Sequence, residues 1–265
     1  MLNEGYMYYI KYIKMPAPLM VLGVMYFLYA VLHFIECIKI GYWNGVISSL
    51  ILIIKKHYIR FLLMLGVLIL VIMYVDLPVA ILIKKLYNLE FYTIVDFFCS
   101  MGEGWFVGGV IFTLFLISNF LGNYNNATVY KISFMITIYA GILNALAKFF
   151  ISRERPNINM NPHHFFQFFI NESHNINNIF YSYNSMPSGH TITVFAAITP
   201  LFLYTNKIFY KIILILSGLI IGFARVYTLN HWLSDVILSA FLGITIGYIG
   251  YTLNLFRLSN KINSL

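Results

Sequence analysis

The chain has 265 residues, of which 60% are hydrophobic, 18% aromatic and only 10% charged, and its mean hydropathy is +0.80. Soluble domains carry about 25% charged residues, so this composition excludes a water-soluble globular protein, and equally a disordered, collagen-like or coiled-coil chain. The formal net charge of +8 reads as basic loops meeting anionic headgroups, and no nucleic-acid partner is expected.

In chain order, the opening segment Met1–Lys14 is rich in Tyr and carries Lys11 and Lys14. It reads as interfacial rather than as a cleavable signal. Residues 17–40 are apolar enough to span, but His33, Glu36 and Lys39 share one helical stripe, and 46–54 is too short to return across a bilayer. Residues 1–56 are therefore expected to form a membrane-associated N-terminal segment lying partly in the interface, with an extra span plus a re-entrant piece as the alternative. Apolar stretches near the 20 or so residues that a bilayer requires then follow at 61–83, 105–121, 132–150, 187–204, 212–228 and 231–254. The fourth contains Pro200, which is expected to kink it because proline donates no backbone hydrogen bond. The fold class is thus all-α: a polytopic membrane protein, with a six-transmembrane-helix bundle over 57–256 and a cytoplasmic tail at 257–265. Cys37 and Cys99 offer neither a disulfide framework nor metal-ligand spacing.

Alternating the six spans puts Lys55, Lys56, Arg60, Lys131, Lys207, Lys211, Arg257 and Lys261 on one side. The other side receives Lys84, Lys85 and Arg153, apart from the cations of the clusters below, so the first side is assigned as cytoplasmic.

Three clusters place ionisable groups at the ends of apolar helices, where they are costly unless used. In Lys148-Phe-Phe-Ile-Ser-Arg-Glu-Arg155-Pro156 the first and last cations are seven apart, about two helical turns, and share a face. Pro156 disfavours helix at Arg155. Pro187-Ser188-Gly189-His190 opens the fourth span, where free first-turn amides favour an anion. The third cluster is Arg225, His231 and Asp235, the last two at i, i+4, where a carboxylate can hold the imidazole in one tautomer. With one crossing per span, all three clusters reach the same membrane face, opposite the basic loops. Three cations, two histidines and a carboxylate without a metal-ligand set suit phosphoryl transfer. Lys/Arg clamps stabilise charge on the phosphoryl oxygens, one histidine attacks phosphorus, and another protonates the leaving alkoxide.

Lys148-x6-Arg155-Pro156, Pro187-Ser188-Gly189-His190 and Arg225-x5-His231-x3-Asp235 resemble the three motifs of the type 2 phosphatidic acid phosphatase superfamily, which includes membrane lipid phosphatases and soluble vanadium haloperoxidases. The resemblance implies that His231 is the nucleophile, forming a phosphohistidine, that Asp235 orients it, and that His190 protonates the leaving oxygen and helps activate water. Lys148, Arg155 and Arg225 would bind phosphate, helped by Ser188 and the Gly189 amide, with no metal and no other cofactor. The family usually has Ser before the third-motif Arg, where this chain has Ala224. The implied protein is an integral-membrane phosphatase of the bacterial cytoplasmic membrane, with its site on the outer face. Its substrate would be a lipid phosphate or pyrophosphate: phosphatidic acid, phosphatidylglycerophosphate, undecaprenyl pyrophosphate or a lipid A phosphate. No obligate protein partner is inferred. A sugar-phosphate phosphatase or phosphotransferase of the same fold, and a non-catalytic protein that binds or scrambles lipid phosphates, are the alternatives.

The remaining polar residues are given structural readings. Arg153, two residues from Arg155, is expected to point elsewhere and meet headgroups, with Glu154 as a solvated neighbour. His163 and His164 are expected to serve the loop 157–186, and Phe165, Phe166, Phe168 and Phe169 to form either a lid or an interfacial turn. Asp76 either pairs with a neighbour, faces a polar cavity or marks the outer interface, and Glu103 is held as a headgroup contact. Asn126-Ala-Thr and Asn171-Glu-Ser match the glycosylation pattern.

Overall fold

A computed structural model describes residues 42–170 and 181–263. The interfacial segment and the apolar stretch 17–40 lie outside these residues, as does Asn171. The described helices form one bundle within the unit Asn44–Leu265.

The helices in order are α1 (Tyr42–Tyr74), α2 (Asp76–Lys85), α3 (Leu89–Met101), α4 (Gly104–Phe120), α5 (Tyr124–Ile151), the four-residue α6 (Gln167–Ile170), α7 (Gly189–Tyr204), α8 (Ile208–Tyr227) and α9 (Leu233–Asn263). No strand occurs among the described residues. By length and apolar composition α5, α8 and the Leu233–Leu253 part of α9 can cross a membrane. The count rises to five if α1–α2 and α3–α4, bent by 49° and 54°, are each one broken span. Helix α7 is apolar but has 16 residues, a rise of about 24 Å against a hydrocarbon core of about 30 Å. The first expected span, 61–83, is therefore not one straight helix. It breaks at Val75, three residues before Pro78, whose missing N–H leaves the Tyr74 carbonyl without its helical partner.

Helix α7 is the centre of the bundle, packed most extensively on α9 and α5 and then on α8. Ile132, Ile136 and Ala140 of α5, Ile192 and Ala196 of α7 and Tyr251 of α9 form one buried cluster. Close approach of α9 depends on glycine. A Cβ at Gly243 would lie 2.7 Å from the Ile192 carbonyl oxygen, and one at Gly247 would lie 2.6 Å from Thr199 Cβ, the small-residue packing by which membrane helices bring their backbones together. Ser133 Oγ adds an interhelical hydrogen bond, donated to the Ala197 carbonyl at 2.5 Å. Pro200 is accommodated inside α7, fully buried. A second cluster joins α3 and α8 through Val95, Cys99, Ala224 and Tyr227.

The outer surface is apolar: Leu62, Leu63, Leu70, Leu116, Ile212, Leu216 and Leu219 are all exposed, the inverse of a water-soluble surface and the expected face toward lipid tails.

Candidate active site

The site forms where α5 ends, α7 and α9 begin, and α8 ends. The backbone leaves α5 through Ser152, held in the left-handed region at φ 33°, and runs Arg153, Glu154, Arg155 and Pro156 as buried, non-helical chain. Three hydrogen bonds tie this stretch to the segment before α7 and to the α8–α9 turn: Ser185 N to Arg153 O, Arg155 N to Ser182 O, and Asn157 N to Leu229 O, each 3.0 Å. Backbone connections therefore bring the three motif regions into one place.

His231 is buried, in the turn before α9, with its amide donating to the Arg225 carbonyl at 3.2 Å. Its Nδ1 lies 2.5 Å from the Ser185 carbonyl oxygen. A carbonyl only accepts, so Nδ1 carries the proton and Nε2 keeps its lone pair. Asp235 Oδ2 is farther from Nδ1, at 3.8 Å. That carboxylate is engaged elsewhere: Oδ2 accepts from Ser185 Oγ at 2.5 Å and from the Trp232 amide at 2.9 Å, and Oδ1 accepts from Arg153 at 2.6 Å. Burial first, and then the cations Arg225, Arg155 and Lys148, hold His231 well below the usual imidazole pKa, so the ring is neutral at pH 7.

The three expected phosphate-binding cations all act electrostatically on both His231 and His190. Lys148 Nζ donates to the Asn184 carbonyl at 2.8 Å. Arg155 lies over the Tyr181 ring at 4.2 Å, donates from Nε to the Tyr181 carbonyl at 2.6 Å and reaches Asn230 Oδ1 at 3.2 Å. Burial, opposed by Tyr181 and reinforced by Arg225, pulls Arg155 down to about 10; it remains a cation at neutral pH. Arg225 is buried and its Nε has no protein partner. A buried, unpaired guanidinium donor is costly, and its position invites an anion.

At the start of α7, Ser188 is wholly buried and its Oγ pairs with Thr191 Oγ1 at 3.0 Å, while its amide donates to Ser239 Oγ at 2.6 Å. Gly189 lies against α5: a Cβ there would come 3.1 Å from Asn144 Nδ2 and 4.0 Å from Lys148 Nζ. His190, partly exposed, follows at the helix N-terminus, where the first-turn amides lack intrahelical acceptors. Ala224 is 1% exposed and packs with Val95, Cys99 and Tyr227, so the departure from the usual Ser falls in apolar packing.

Two expectations are corrected. Arg153 does not meet headgroups. It is completely buried, paired with Asp76 at 2.7 Å and Asp235 at 2.6 Å, and flanked by Phe165 and Trp232, whose ring centroids lie 4.8 and 5.2 Å away. Two-residue spacing from Arg155 carries no facing information once the chain has left the helix. Glu154 is not solvated: it is 8% exposed and bonds His164 Nδ1 at 2.7 Å. Asp76 takes the pairing option, and its Oδ1 also accepts the Ser234 amide at 2.9 Å, capping α9 from another helix. Glu103 accepts from Trp105 Nε1. Of the loop phenylalanines, Phe165 turns inward onto Arg153, while Phe166 and Phe169 are exposed.

Sequence reasoning overlooked Ser185, whose backbone carbonyl carries no side-chain signal, and Asn144. Asn144 is buried one turn before Lys148, with Oδ1 unpartnered; a lone polar residue at i−4 from a motif lysine was the available clue. Among the described residues no three of His, Cys, Asp and Glu are grouped to hold a metal ion.

The fold and site together define an α-helical integral membrane protein with a buried cationic cluster around two histidines. A profile of the PAP2 superfamily matches residues 129–258, which contain all three motifs. It is 37% identical over 70 residues to a lipid A 1-phosphatase of Porphyromonas gingivalis, a stretch that is 26% of this chain and 16% of that protein's length. Its fold resembles two solved structures. One is LpxE of Aquifex aeolicus (TM-score 0.52, 23% identity, covering 67% of this chain and 94% of that one). The other is a transmembrane PAP2-type phosphatidylglycerolphosphate phosphatase of Bacillus subtilis (TM-score 0.55, 18% identity, covering 73% and 93%).

Proposed function

We propose that the protein is a lipid phosphate phosphatase working through a phosphohistidine on His231. The observation that carries this reading is the hydrogen bond from His231 Nδ1 to the Ser185 carbonyl, which leaves Nε2 free to attack, while burial and the nearby Arg225, Arg155 and Lys148 hold the ring below the usual imidazole pKa. In the first step Nε2 bonds to phosphorus as the P–O bond to the lipid breaks, and His190 delivers a proton to the departing oxygen. In the second, His190 takes a proton from water, whose oxygen displaces Nε2 and releases inorganic phosphate. Lys148, Arg155, the unpaired Nε of Arg225 and the first-turn amides at Gly189 neutralise the phosphoryl oxygens, a term that differs between ground and transition states and therefore accelerates the reaction. No step is routed through a metal.

The substrate class is a lipid phosphate in the bilayer, with the lipid A 1-phosphate and phosphatidylglycerolphosphate types favoured by the names of the relatives. The apolar flanks of the bundle let acyl chains stay in the membrane while the headgroup reaches the helix ends. The distribution of Lys and Arg supports a site on the outer face of a bacterial cytoplasmic membrane, and the domain reading remains an N-terminal membrane-associated segment, a phosphatase bundle and a short cytoplasmic tail.

The test is phosphate release by detergent-purified full-length protein, with EDTA present. The substrates are lipid A, phosphatidylglycerophosphate, phosphatidic acid, undecaprenyl pyrophosphate and a soluble sugar phosphate, each beside His231→Ala. Release from a lipid that survives EDTA and vanishes in the variant is expected. Release only from the sugar phosphate, or from nothing, would overturn the lipid phosphatase reading, and release abolished by EDTA would overturn the metal-free mechanism.

A further inference from the structure

The buried ion cluster beneath the site has a more specific role than neutralising charge. Every donor of Arg153 is spent inside the protein: Nε and Nη2 on the Pro162 carbonyl at 3.1 and 2.7 Å, Nη2 also on Asp76 at 2.7 Å, and Nη1 on Ser234 Oγ at 2.7 Å and Asp235 at 2.6 Å. A guanidinium has five N–H groups, so none is left for phosphate, in contrast to Arg225. The cluster instead converges on Ser185. The Ser185 amide donates to the Arg153 carbonyl at 3.0 Å, its hydroxyl donates to Asp235 Oδ2 at 2.5 Å, and its carbonyl accepts from His231 Nδ1 at 2.5 Å. All three polar groups of one residue are thereby engaged, and two of the three bonds lead back to Arg153, directly or through Asp235.

The geometry assigns Asp76, Arg153 and Ser185 as positioning residues for the nucleophile. The line Asp76–Arg153–Asp235–Ser185–His231 aims Nε2, and Asp235 works on the imidazole through Ser185 rather than by direct hydrogen bond. Asp76 comes from α2, outside the matched profile region, and reaches the cluster because the chain bends at Val75. The break between α1 and α2 is therefore part of the catalytic apparatus. A cation shared by two carboxylates holds both in place. Misaiming a nucleophile costs rate without weakening substrate binding, by about 10²-fold for a displacement of about 1 Å.

This inference rests on the proposed phosphatase reading, and the experiment separates the two. Wild type, Ser185→Ala, Asp76→Asn, Arg153→Lys and Arg153→Gln are purified in detergent. Each is assayed for kcat and KM on the lipid that wild type cleaves best, and for inhibition by orthovanadate as a phosphate mimic. A silent wild type defeats the phosphatase reading and this inference with it. Given an active wild type, the expectation is a fall in kcat of about 10- to 100-fold, with KM and the vanadate inhibition constant within about twofold. Arg153→Lys should retain more rate than Arg153→Gln, and Asp76→Asn and Arg153→Gln should combine non-additively. Where an Arg153 variant fails to fold, Ser185→Ala and Asp76→Asn decide. Folded Ser185→Ala and Asp76→Asn proteins with lowered Tm but wild-type kcat, or with KM and vanadate inhibition weakened as much as kcat, would overturn the assignment.

Discussion

Arg225 sets stability against function in a way that can be measured. Its side chain is buried, near Lys148 and Arg155, and its Nε finds no acceptor in the protein. A buried unsatisfied donor costs about 1–3 kcal/mol, and like charges nearby add to that cost. Replacing Arg225 with Met keeps a long apolar stem and removes both penalties, at the loss of its contact with the buried Cys99 thiol. The variant is expected to melt higher in detergent by a few degrees, at about 2–4 °C per kcal/mol for a chain of this size. Under the proposed mechanism the same change removes a donor to the transferring phosphoryl group, an expected loss of about 10²–10³ in rate. Inorganic phosphate makes the trade visible. At 100 times its dissociation constant a ligand stabilises the folded state by about 2.7 kcal/mol, so wild type should gain stability on phosphate addition and the variant should lose most of that response. Thermal melts with and without phosphate, beside turnover on the best lipid, give all three numbers. An Arg225→Met protein that melts lower than wild type, or keeps its phosphate-induced stabilisation, would refute the view that the unpaired guanidinium is held in readiness for an anion.

Other expectations concern pH and packing. In the proposed mechanism His231 is neutral when it attacks, and burial with Arg225, Arg155 and Lys148 nearby keeps its pKa well below 6.5. The acidic limb of kcat/KM assigned to it should therefore lie below pH 6.5, and a limb at or above that value would contradict the geometry. Because the unfolded chain takes up this proton near 6.5 and the folded chain only at lower pH, the contribution of His231 to stability is present above 6.5. It declines as pH falls from there toward the folded value. In the bundle, Gly243→Val would drive a side chain into the Ile192 carbonyl, 2.7 Å from the Cβ position, at a cost of about 1–3 kcal/mol, seen as a lower Tm. Gly109→Ala meets nothing within 4 Å and should stabilise α4 by about 0.5–1 kcal/mol; equal Tm values for these two variants would sink the close-packing argument.

The membrane class and the helical architecture were legible from composition because apolar residues fill every long helix. The motif residues were legible because Lys148, Arg155, Arg225, His231 and Asp235 are expensive at the ends of such helices unless something uses them. The number of crossings was not legible. Hydropathy measures a stretch's length but not a bend at Val75 or at Gly102–Glu103, so 61–83 reads as one rod and folds as two pieces. Arg153 was misread for a related reason. Its partners Asp76 and Asp235 are 77 and 82 residues away, and its environment depends on Ser152 turning the chain out of α5 at positive φ, a conformation that sequence periodicity does not encode.

The two arginines of Arg153-Glu-Arg155 make the general point. They share a residue type, a loop and a neighbourhood, yet one has spent every donor within the fold and the other is stacked on Tyr181 beside the histidines. What separates them is satisfaction. A guanidinium between two carboxylates and two rings is a structural cross-link, whose removal leaves uncompensated charge in a dry interior. A guanidinium such as Arg225, buried with a donor unpaired, is incomplete until an anion arrives. Counting unsatisfied donors thus separates Arg225 from Arg153, a division that motif spacing alone could not make.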